Sequence, residues 1–180
     1  MALLIRLAEA DDAEAIAAIY RPYVEDSRIS FEESAPDAAE MARRMTGDMP
    51  GYHPWLVAKE DANLLGYAAS SPFRTRPAYR WTVETGIYLA PGASGRGIGQ
   101  GLLSELLELL QRQGYVAAIG AIALPNAPSV ALHEKLGFTY AGTYRRVGFK
   151  MGEWLDVGLW QKELAARSAT PEEPRPYASV

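Results

Sequence analysis

The sequence contains no cysteine and only two histidines, His53 and His133, among its 180 residues. Without thiols the chain can form no disulfide, no thiolate metal site and no cysteine nucleophile. Two imidazoles are too few for a multi-histidine metal centre, so we expect no bound metal. His53 lies between Tyr52 and Pro54, and we interpret it as a structural or solvent-facing residue.

Long apolar stretches and basic runs are also absent. The longest apolar stretch, residues 115–125, has about half of the roughly 20 residues that a membrane helix needs. The first residues, MALLIRLAEADD, lack the extended apolar region and cleavage site of a signal peptide. Eighteen basic and 22 acidic residues give a net charge of −4, unlike the basic surface of a nucleic-acid-binding protein. We therefore expect a cytoplasmic protein that binds neither membranes nor nucleic acids.

The length and composition are typical of one globular domain. Hydrophobic residues make up 48% of the chain and charged residues 22%. A single domain usually has about 100–200 residues, so we predict one domain over residues 1–164. Residues 165–180 contain three prolines and few large apolar side chains, and we expect this tail to be weakly ordered.

The spacing of apolar residues predicts a mixed sheet flanked by helices. Capping residues predict helices that begin after Asp11 or Asp12 and after Asp37, and Pro22 is predicted to end the first of them. Leucines at helical spacing predict a third helix over residues 98–112, with Gly114 as its cap. The predicted strands are residues 3–7, 55–58, 64–68, 83–89, 116–124, 138–147 and 154–161, and a short helix is predicted over residues 129–136.

A glycine-rich loop, residues 95–101, lies between a predicted strand and the leucine-rich helix. Such a loop exposes backbone N–H groups and a helix N-terminus, which together can hold a phosphate. A tight strand-to-helix turn is the alternative that the loop alone leaves open. Spacing excludes two other phosphate motifs, because a dinucleotide fingerprint would need glycine where Leu102 stands and a Walker loop would need Gly-Lys-Ser/Thr.

The loop resembles the pyrophosphate-binding signature Q/R-x-x-G-x-G/A of the GNAT superfamily of acetyl-CoA-dependent acyltransferases. Gly97 and Gly99 occupy its glycine positions. Ser94 stands where Gln or Arg is usual, which removes one side chain but keeps the backbone donors. Downstream, Asn126 and Ser129 followed by HEKLGF resemble the superfamily pattern N-x-x-A/S…Y-E-K-x-G-F, with histidine in place of tyrosine.

Three longer blocks, in the same order, are similar to phosphinothricin N-acetyltransferases. They are AYRWTVE at residues 78–84, LPNAPSVALHE at residues 124–134 and GFKMGEWLDVGLWQ at residues 148–161. The similarity covers residues 4–162. It implies an α/β (α+β) chain with the GNAT acyl-CoA N-acyltransferase fold, a mixed twisted sheet flanked by helices.

The resemblance implies acetyl-CoA as co-substrate and no metal. The pantetheine arm would pair with backbone groups of β-strand residues 87–89, and the phosphates would rest on residues 94–100. Arg96 would neutralise phosphate, or would be an ordinary solvated arginine. The implied cofactor-binding residues are Ile87, Tyr88, Leu89, Ser94, Gly95, Arg96, Gly97, Ile98, Gly99, Gln100, Asn126 and Ser129.

Acetyl transfer to an amine needs a base for the ammonium proton, stabilisation of the thioester oxygen and alignment of the reactants. Glu84 matches the glutamate of the family's W-T-x-E segment, so the resemblance implies that it is the general base. His133, on the same helix face as Ser129, is the second candidate catalytic residue, and would orient the substrate or assist proton traffic. A half-buried structural histidine is the alternative that remains open.

The acceptor side needs cations, because phosphinothricin carries a carboxylate and a phosphinate. Arginine side chains bind such oxyanions with two parallel hydrogen bonds. Arg74 and Arg76 precede the Glu84 strand, although surface charge is the alternative for both. Lys150 in the third matched block is a further candidate. The predicted acceptor-binding residues are Phe31, Arg74, Arg76, Tyr79 and Thr85.

These observations predict an acetyl-CoA-dependent N-acetyltransferase acting on the α-amine of phosphinothricin or a related glutamate-like amino acid, methionine sulfoximine or sulfone. Two alternatives are a GNAT enzyme for another amine, such as a protein N-terminus, polyamine or antibiotic, and a non-catalytic acyl-CoA sensor. The resemblance also implies a homodimer. Tyr144, Phe149, Trp154 and Trp160 could supply its interface, although we expect at least half of them in the core.

Overall fold

The computed structural model describes residues 3–180, in which seven strands form one mixed sheet. The predicted domain starts at residue 1, and residues 1 and 2 lie outside the described range. The strands are β1 (Leu3–Leu7), β2 (Trp55–Glu60), β3 (Asn63–Pro72), β4 (Thr82–Leu89), β5 (Ala117–Leu124), β6 (Thr139–Lys150) and β7 (Glu153–Glu163). The helices are α1 (Ala13–Glu25), α2 (Ala38–Thr46), α3 (Ile98–Gln113) and α4 (Ala127–Lys135).

Helices cover both faces of the sheet, as the apolar spacing predicts. The apolar side of α3, with Leu102, Leu103 and Leu106 fully buried, packs on one face. On the other face Ile16 of α1 and Met41 of α2 pack with side chains of β2 and β3. Each such buried side chain contributes about 1.5–3 kcal/mol of hydrophobic stabilisation, so the two helical layers hold the sheet firmly from both sides.

One strand pair of the sheet is joined over only part of its length. The order is β1-β2-β3-β4-β5-β7-β6, and every neighbouring pair is antiparallel except the parallel pair β4–β5. Thr82, Val83 and Glu84 pair with residues 117–119, whereas β4 continues to Leu89. The strands therefore separate after Glu84, and a cleft divides β1–β4 from the β5-β7-β6 half.

Helix α1 does not end at Pro22 as predicted but continues to Glu25. Proline deprives the helix of one N–H donor, yet the next turn still closes, because the Asp26 N–H donates to the Pro22 carbonyl at 3.0 Å. Tertiary hydrogen bonds also hold this turn, through the Tyr23 hydroxyl and the Val24 carbonyl. These bonds outweigh the local helix-breaking effect of proline.

Of the four hairpin aromatic residues named as interface candidates, most are exposed, so the expectation that at least half of them are core is wrong. Trp160 alone is buried, whereas Tyr144, Phe149 and Trp154 are 46%, 57% and 62% exposed. Phe149 and Trp154 are opposite each other near the hairpin turn, with ring centroids 5.3 Å apart. Trp160 lies farther along β7, over the central core.

Residues 165–180 contain little regular structure but contact the body of the domain. The Arg80 guanidinium binds Glu173 and stacks over the Trp81 ring, 3.8 Å from its centroid. The Gln113 side chain donates to the Arg175 carbonyl at 2.9 Å. The weak order expected for this tail stays a prediction. Among residues 3–180, no helix is long and apolar enough to span a bilayer.

Candidate active site

The cleft between β4 and β5 holds a cavity of about 500 Å³. It is walled by the diverging strands, the glycine-rich loop and α4. Tyr23 and Ile29, from the end of α1 and the next loop, also line it, and no sequence motif indicated either residue. The predicted site residues that the cavity brings together are Thr85, Ile87, Tyr88, Leu89, Ser94, Gly95, Gly97, Gly99, Gln100, Asn126, Ser129 and His133.

Strand alternation turns the backbone of Ile87 and Leu89 towards this cleft. Ser70 of β3 stands opposite Thr85 but donates its N–H to the carbonyl just before β2, at 3.1 Å. Thr85 and every second residue after it therefore direct their N–H and C=O groups away from β3. Ile87 and Leu89, two positions apart on the same strand, thus present backbone groups that are not paired with β3 at a strand edge. A ligand that carries amide groups can pair with such an edge by hydrogen bonding, as an added strand would.

The Tyr23 hydroxyl forms hydrogen bonds with the backbone groups of one of these two residues, Leu89. It donates to the Leu89 carbonyl at 2.7 Å and accepts from the Leu89 N–H at 3.2 Å. The Tyr23 ring packs edge-on against Tyr88, with centroids 5.1 Å apart. The end of α1 is thus fastened directly to the lip of the cleft formed by β4.

The glycine-rich loop presents the N-terminus of α3 at the end of the cleft. Gly95 and Gly97 have left-handed φ values of 77° and 79°, which glycine adopts without strain. Gly97 is the residue before the first turn of α3, so the first N–H groups of the helix have no helical acceptor. These donors and the positive end of the helix dipole suit a phosphate. Open space beside both glycines, with nothing within 4 Å of an added Cβ, fits a bulky diphosphate.

Two residues predicted for this loop do not line the cavity. The Arg96 guanidinium pairs with Glu60 across an Nη2–Oε2 distance of 3.0 Å. The Ile98 side chain is 2% exposed and belongs to the hydrophobic core. Only the backbone of Ile98 can therefore face a ligand, and Arg96 would have to leave Glu60 to reach one.

Glu84 lies at the point where the strands separate. It is the last residue of β4 that pairs with β5, and its side chain shares one face of β4 with Gly86 and Tyr88. Burial raises the pKa of the Glu84 carboxyl above its usual range, and the Arg74 charge partly opposes this shift. The pKa of Tyr88 is also raised, chiefly by burial and then by Tyr20, and Glu84 makes only the smallest contribution. A half-buried carboxylate with a raised pKa is a stronger base than an exposed one.

His133 is a buried, neutral imidazole on α4. It is 3% exposed, and burial lowers its pKa, partly offset by the Ser129 carbonyl. Its Nδ1 lies 2.8 Å from that carbonyl, which can only accept, so Nδ1 carries the proton. The other nitrogen, Nε2, is buried without a hydrogen-bond partner among residues 3–180. It packs on Gly120, where an added Cβ would be 2.7 Å away. The imidazole ring therefore lines the cavity, but its free acceptor Nε2 is packed against Gly120 and closed to solvent.

Of the predicted acceptor residues, Thr85 lines the cavity, whereas Arg74, Arg76 and Tyr79 lie in the loop outside it. Thr85 lies inside the cavity wall, 5% exposed, with its hydroxyl 3.4 Å from the Ile119 carbonyl. Arg74 lies outside it, donates to the Tyr144 hydroxyl at 3.3 Å and acts electrostatically on Glu84. Arg76 and Tyr79 are exposed residues at the ends of a single helical turn in the same loop.

The remaining acceptor candidates lie against β6. Phe31 is 38% exposed and packs directly on Gly148. Lys150 is buried and donates to two backbone carbonyls, so its ammonium group is already bound within the protein. Within residues 3–180, no three His, Asp or Glu side chains are placed to share a metal ion.

Comparison with known proteins identifies the family. Residues 5–159 match the acetyltransferase (GNAT) domain. The phosphinothricin N-acetyltransferase of Streptomyces viridochromogenes is 38% identical, covering 98% of this chain and 93% of that protein. The L-methionine sulfoximine/L-methionine sulfone acetyltransferase of Salmonella typhimurium is 33% identical, over 93% of this chain and 98% of that protein.

The crystal structure of a phosphinothricin acetyltransferase from Sinorhizobium meliloti, in complex with AcCoA, has the same fold. It aligns with a TM-score of 0.90 at 41% identity, covering 96% of this chain and 95% of that one. The match extends over both halves of the divided sheet. The chain therefore belongs to the phosphinothricin N-acetyltransferase family of the GNAT superfamily.

Proposed function

We propose that this protein transfers the acetyl group of acetyl-CoA to the α-amine of phosphinothricin or of a related glutamate-like amino acid. Methionine sulfoximine and methionine sulfone are the related acceptors. The main observation in support of this proposal is the cleft where β4 separates from β5. Backbone groups of β4 that are not paired with β3 lie along one side of this cleft, and the N-terminus of α3 lies at its end. The acceptor class is supported by the names of the two curated relatives.

The protein's part on the cofactor side is binding and alignment. The N–H groups at the start of α3 and the loop Ser94–Gln100 hold the diphosphate, and the backbone of Ile87 orients the pantetheine amides. The Asn126 side chain already accepts from the Ser129 N–H at 3.3 Å and keeps its amide donors for the cofactor. Bound acetyl-CoA supplies an activated acyl carbon, and holding it beside the amine replaces a bimolecular encounter by an aligned one.

Glu84 supplies the base of the reaction. An α-ammonium group cannot attack a thioester until it loses a proton, and the Glu84 carboxylate, with its raised pKa, accepts that proton directly or through water. His133 is neutral, and its ring lines the cavity; to hold an acceptor group or a water, it would first have to turn Nε2 away from Gly120. Arg74, whose charge reaches Glu84, binds an anionic group of the amino acid, and Arg76, Tyr79 and Phe31 complete that side.

We also propose a homodimer that forms in the cytoplasm, where acetyl-CoA is available. The hairpin β6–β7 exposes Tyr140, Tyr144, Phe149 and Trp154, and aromatic side chains are enriched at interfaces. Sedimentation equilibrium at micromolar concentration should give twice the 19.7 kDa mass of the chain. Trp154→Glu should shift it to the monomer, and a wild-type monomer would contradict the dimer.

The test of the function is the initial rate of CoA release with L-phosphinothricin, L-methionine sulfoximine and L-methionine sulfone, with L-glutamate and spermidine as controls. Saturation by at least one of the first three supports the proposal and ranks the acceptors. Turnover of spermidine alone would point to a different amine. Tight acetyl-CoA binding without any transfer would indicate a sensor.

A further inference from the structure

The last turn of α1 and the loop after it cross from one half of the divided sheet to the other. We call residues 23–31 the strap. Helix α1 packs on the β1–β4 half, with Ile16 and Val24 buried against β2, β3 and β4. The strap then reaches β6, the outer strand of the other half. Because Tyr23 and Ile29 line the cavity, the position of the strap fixes part of the cavity wall.

Lys150 at the end of β6 fastens the strap. Its Nζ donates to the Val24 carbonyl and to the Ser30 carbonyl, each at 2.6 Å, and the residue is only 7% exposed. The Val24 carbonyl belongs to the last turn of α1, whose carbonyls lack helical donors and carry the negative end of the helix dipole. A buried ammonium group there forms short, charge-assisted hydrogen bonds. The Lys150 side chain thus binds the strap near both of its ends, at Val24 and at Ser30.

A second contact lies two residues earlier on the same face of β6. The Phe31 ring sits directly on Gly148, and a β-carbon added at Gly148 would overlap the ring. Gly148 and Lys150 therefore form one continuous contact surface for the strap on β6, which we call the seat. At its other end the strap is held by the two hydrogen bonds of the Tyr23 hydroxyl to Leu89 of β4.

A third tie crosses the same gap but is exposed. Arg28 of the strap pairs with Glu153 of β7 at 3.0 Å, with side chains 45% and 58% exposed. Exposed ion pairs contribute about 0–1 kcal/mol, so this pair should add little to the position of the strap. It is a matched control for Lys150, because it joins the same strap to the same hairpin.

We propose that Lys150 is a positioning residue that sets acceptor affinity by holding the strap on β6. It contacts neither substrate, since its ammonium group is bound to Val24 and Ser30. Its effect is transmitted through Ile29, in the cavity wall, and Phe31, on the acceptor side. This inference rests on the proposed function for the identity of the acceptor. It explains a buried lysine in the third matched sequence block without a catalytic role.

The experiment compares the full-length wild type with Lys150→Met, which keeps the length of the side chain and removes its donors. Hydrogen exchange of the ligand-free proteins should be faster in peptides covering residues 23–31 and unchanged in α3. Titration of L-phosphinothricin into the CoA-saturated protein should show affinity weaker by about tenfold or more, because losing the charge-assisted hydrogen bonds lowers the fraction of protein whose strap is held on β6. CoA affinity should stay within about twofold, since no donor of the phosphate loop is lost.

Two control variants accompany Lys150→Met. Glu153→Gln removes the exposed tie, and Lys162→Met removes a lysine of β7 outside the strap contacts, and both should behave as wild type. Unchanged exchange of residues 23–31 in Lys150→Met would overturn the proposal. Faster exchange throughout the protein, with equal weakening of CoA and acceptor, would also overturn it and assign Lys150 a general structural role.

If Lys150→Met does not fold, Gly148→Ala tests the same seat while keeping the lysine. The added methyl group displaces the Phe31 ring, so hydrogen exchange of residues 23–31 should become faster and acceptor affinity should again fall while CoA affinity holds. In a Phe31→Ala background the same substitution should have no further effect, and an undiminished effect there would contradict the proposal. If the wild type binds none of the three amino acids, the proposed function fails, and the exchange data alone decide whether Lys150 holds the strap.

Discussion

The two sides of the cleft are built from different parts of the chain. On the proposed cofactor side the candidate ligand-binding groups are backbone N–H and C=O groups of β4 and of the first turn of α3, held by regular secondary structure. On the proposed acceptor side the candidate groups are side chains carried by loops, such as Arg74 and Phe31, and they contact the β6–β7 hairpin. A backbone site tolerates side-chain replacement, whereas a side-chain site changes specificity with each substitution. Both properties suit a family whose members are named for different amino-acid acceptors.

The largest expected effect comes from Glu84, which lies at the point where β4 separates from β5. Glu84→Gln keeps the shape of the side chain but removes the base, so kcat should fall by about 10²–10⁴-fold, the usual contribution of general base catalysis. CoA affinity, measured by titration, should not change. Glu105→Gln, an exposed glutamate of α3, is the control. Near-normal kcat in Glu84→Gln would remove Glu84 from the mechanism.

The wild-type pH profile gives an independent check of the same residue. Burial raises the pKa of Glu84 above its ordinary value of 4.5. The carboxylate is the active form of the base, so kcat/KM should be lost as the pH falls through this raised pKa. The acidic limb of the profile should therefore lie above pH 4.5, and a limb at or below that value would contradict the assignment.

Arg74 should give the next largest effect, and it should be confined to the acceptor side. Arg74→Gln removes a charge-assisted contact, so KM for the amino acid should rise by roughly 10–100-fold, with CoA affinity unchanged. Because the Arg74 charge lowers the pKa of Glu84, its loss should move the acidic limb to higher pH. Arg145→Gln, an exposed arginine of β6, controls for net charge. An unshifted limb would mean that Arg74 does not act on the base.

Features that depend on neighbouring residues in the sequence were predictable. The leucine spacing predicts a helix over residues 98–112, and α3 ends at Gln113 with Gly114 as its left-handed cap. The predicted GNAT fold and family are confirmed by the comparisons, because their signatures are contiguous blocks. The chemistry assigned to individual residues of those blocks, Glu84 and His133 included, stays a prediction.

Features that depend on distant residues were not predictable. Lys150 and Val24 are 126 positions apart, and no periodic pattern links a lysine at a strand end to a helix carbonyl. The same applies to Tyr23, whose hydroxyl binds a backbone 66 positions away. The error at Pro22 has the same origin, because a local rule for ending helices cannot include the tertiary hydrogen bonds that hold the following turn.

On the cofactor side a smaller effect is expected from Gly97. A side chain at its left-handed φ of 79° costs roughly 1–2 kcal/mol, and relief of this strain would turn the first N–H groups of α3 away from the phosphate. Gly97→Ala should therefore weaken CoA binding by about tenfold. Gly92→Ala is the matched control, since Gly92 has a φ of 80° but does not line the cavity. Equal loss of CoA affinity in both variants would attribute the effect to loop strain alone.

The smallest effect is expected from Ser94, where the sequence departs from the Gln or Arg usual in the family signature. If backbone donors and the helix dipole hold the phosphates, removing the hydroxyl with Ser94→Ala should change CoA affinity by less than about threefold, within the range of one neutral hydrogen bond. Ser94→Arg should tighten binding at low salt and lose that gain at high salt, because an exposed charge is screened. A tenfold loss of CoA affinity in Ser94→Ala would instead show that a side chain governs phosphate binding. Both sides of the cleft would then bind their ligands through side chains, and the contrast between a backbone site and a side-chain site would not hold.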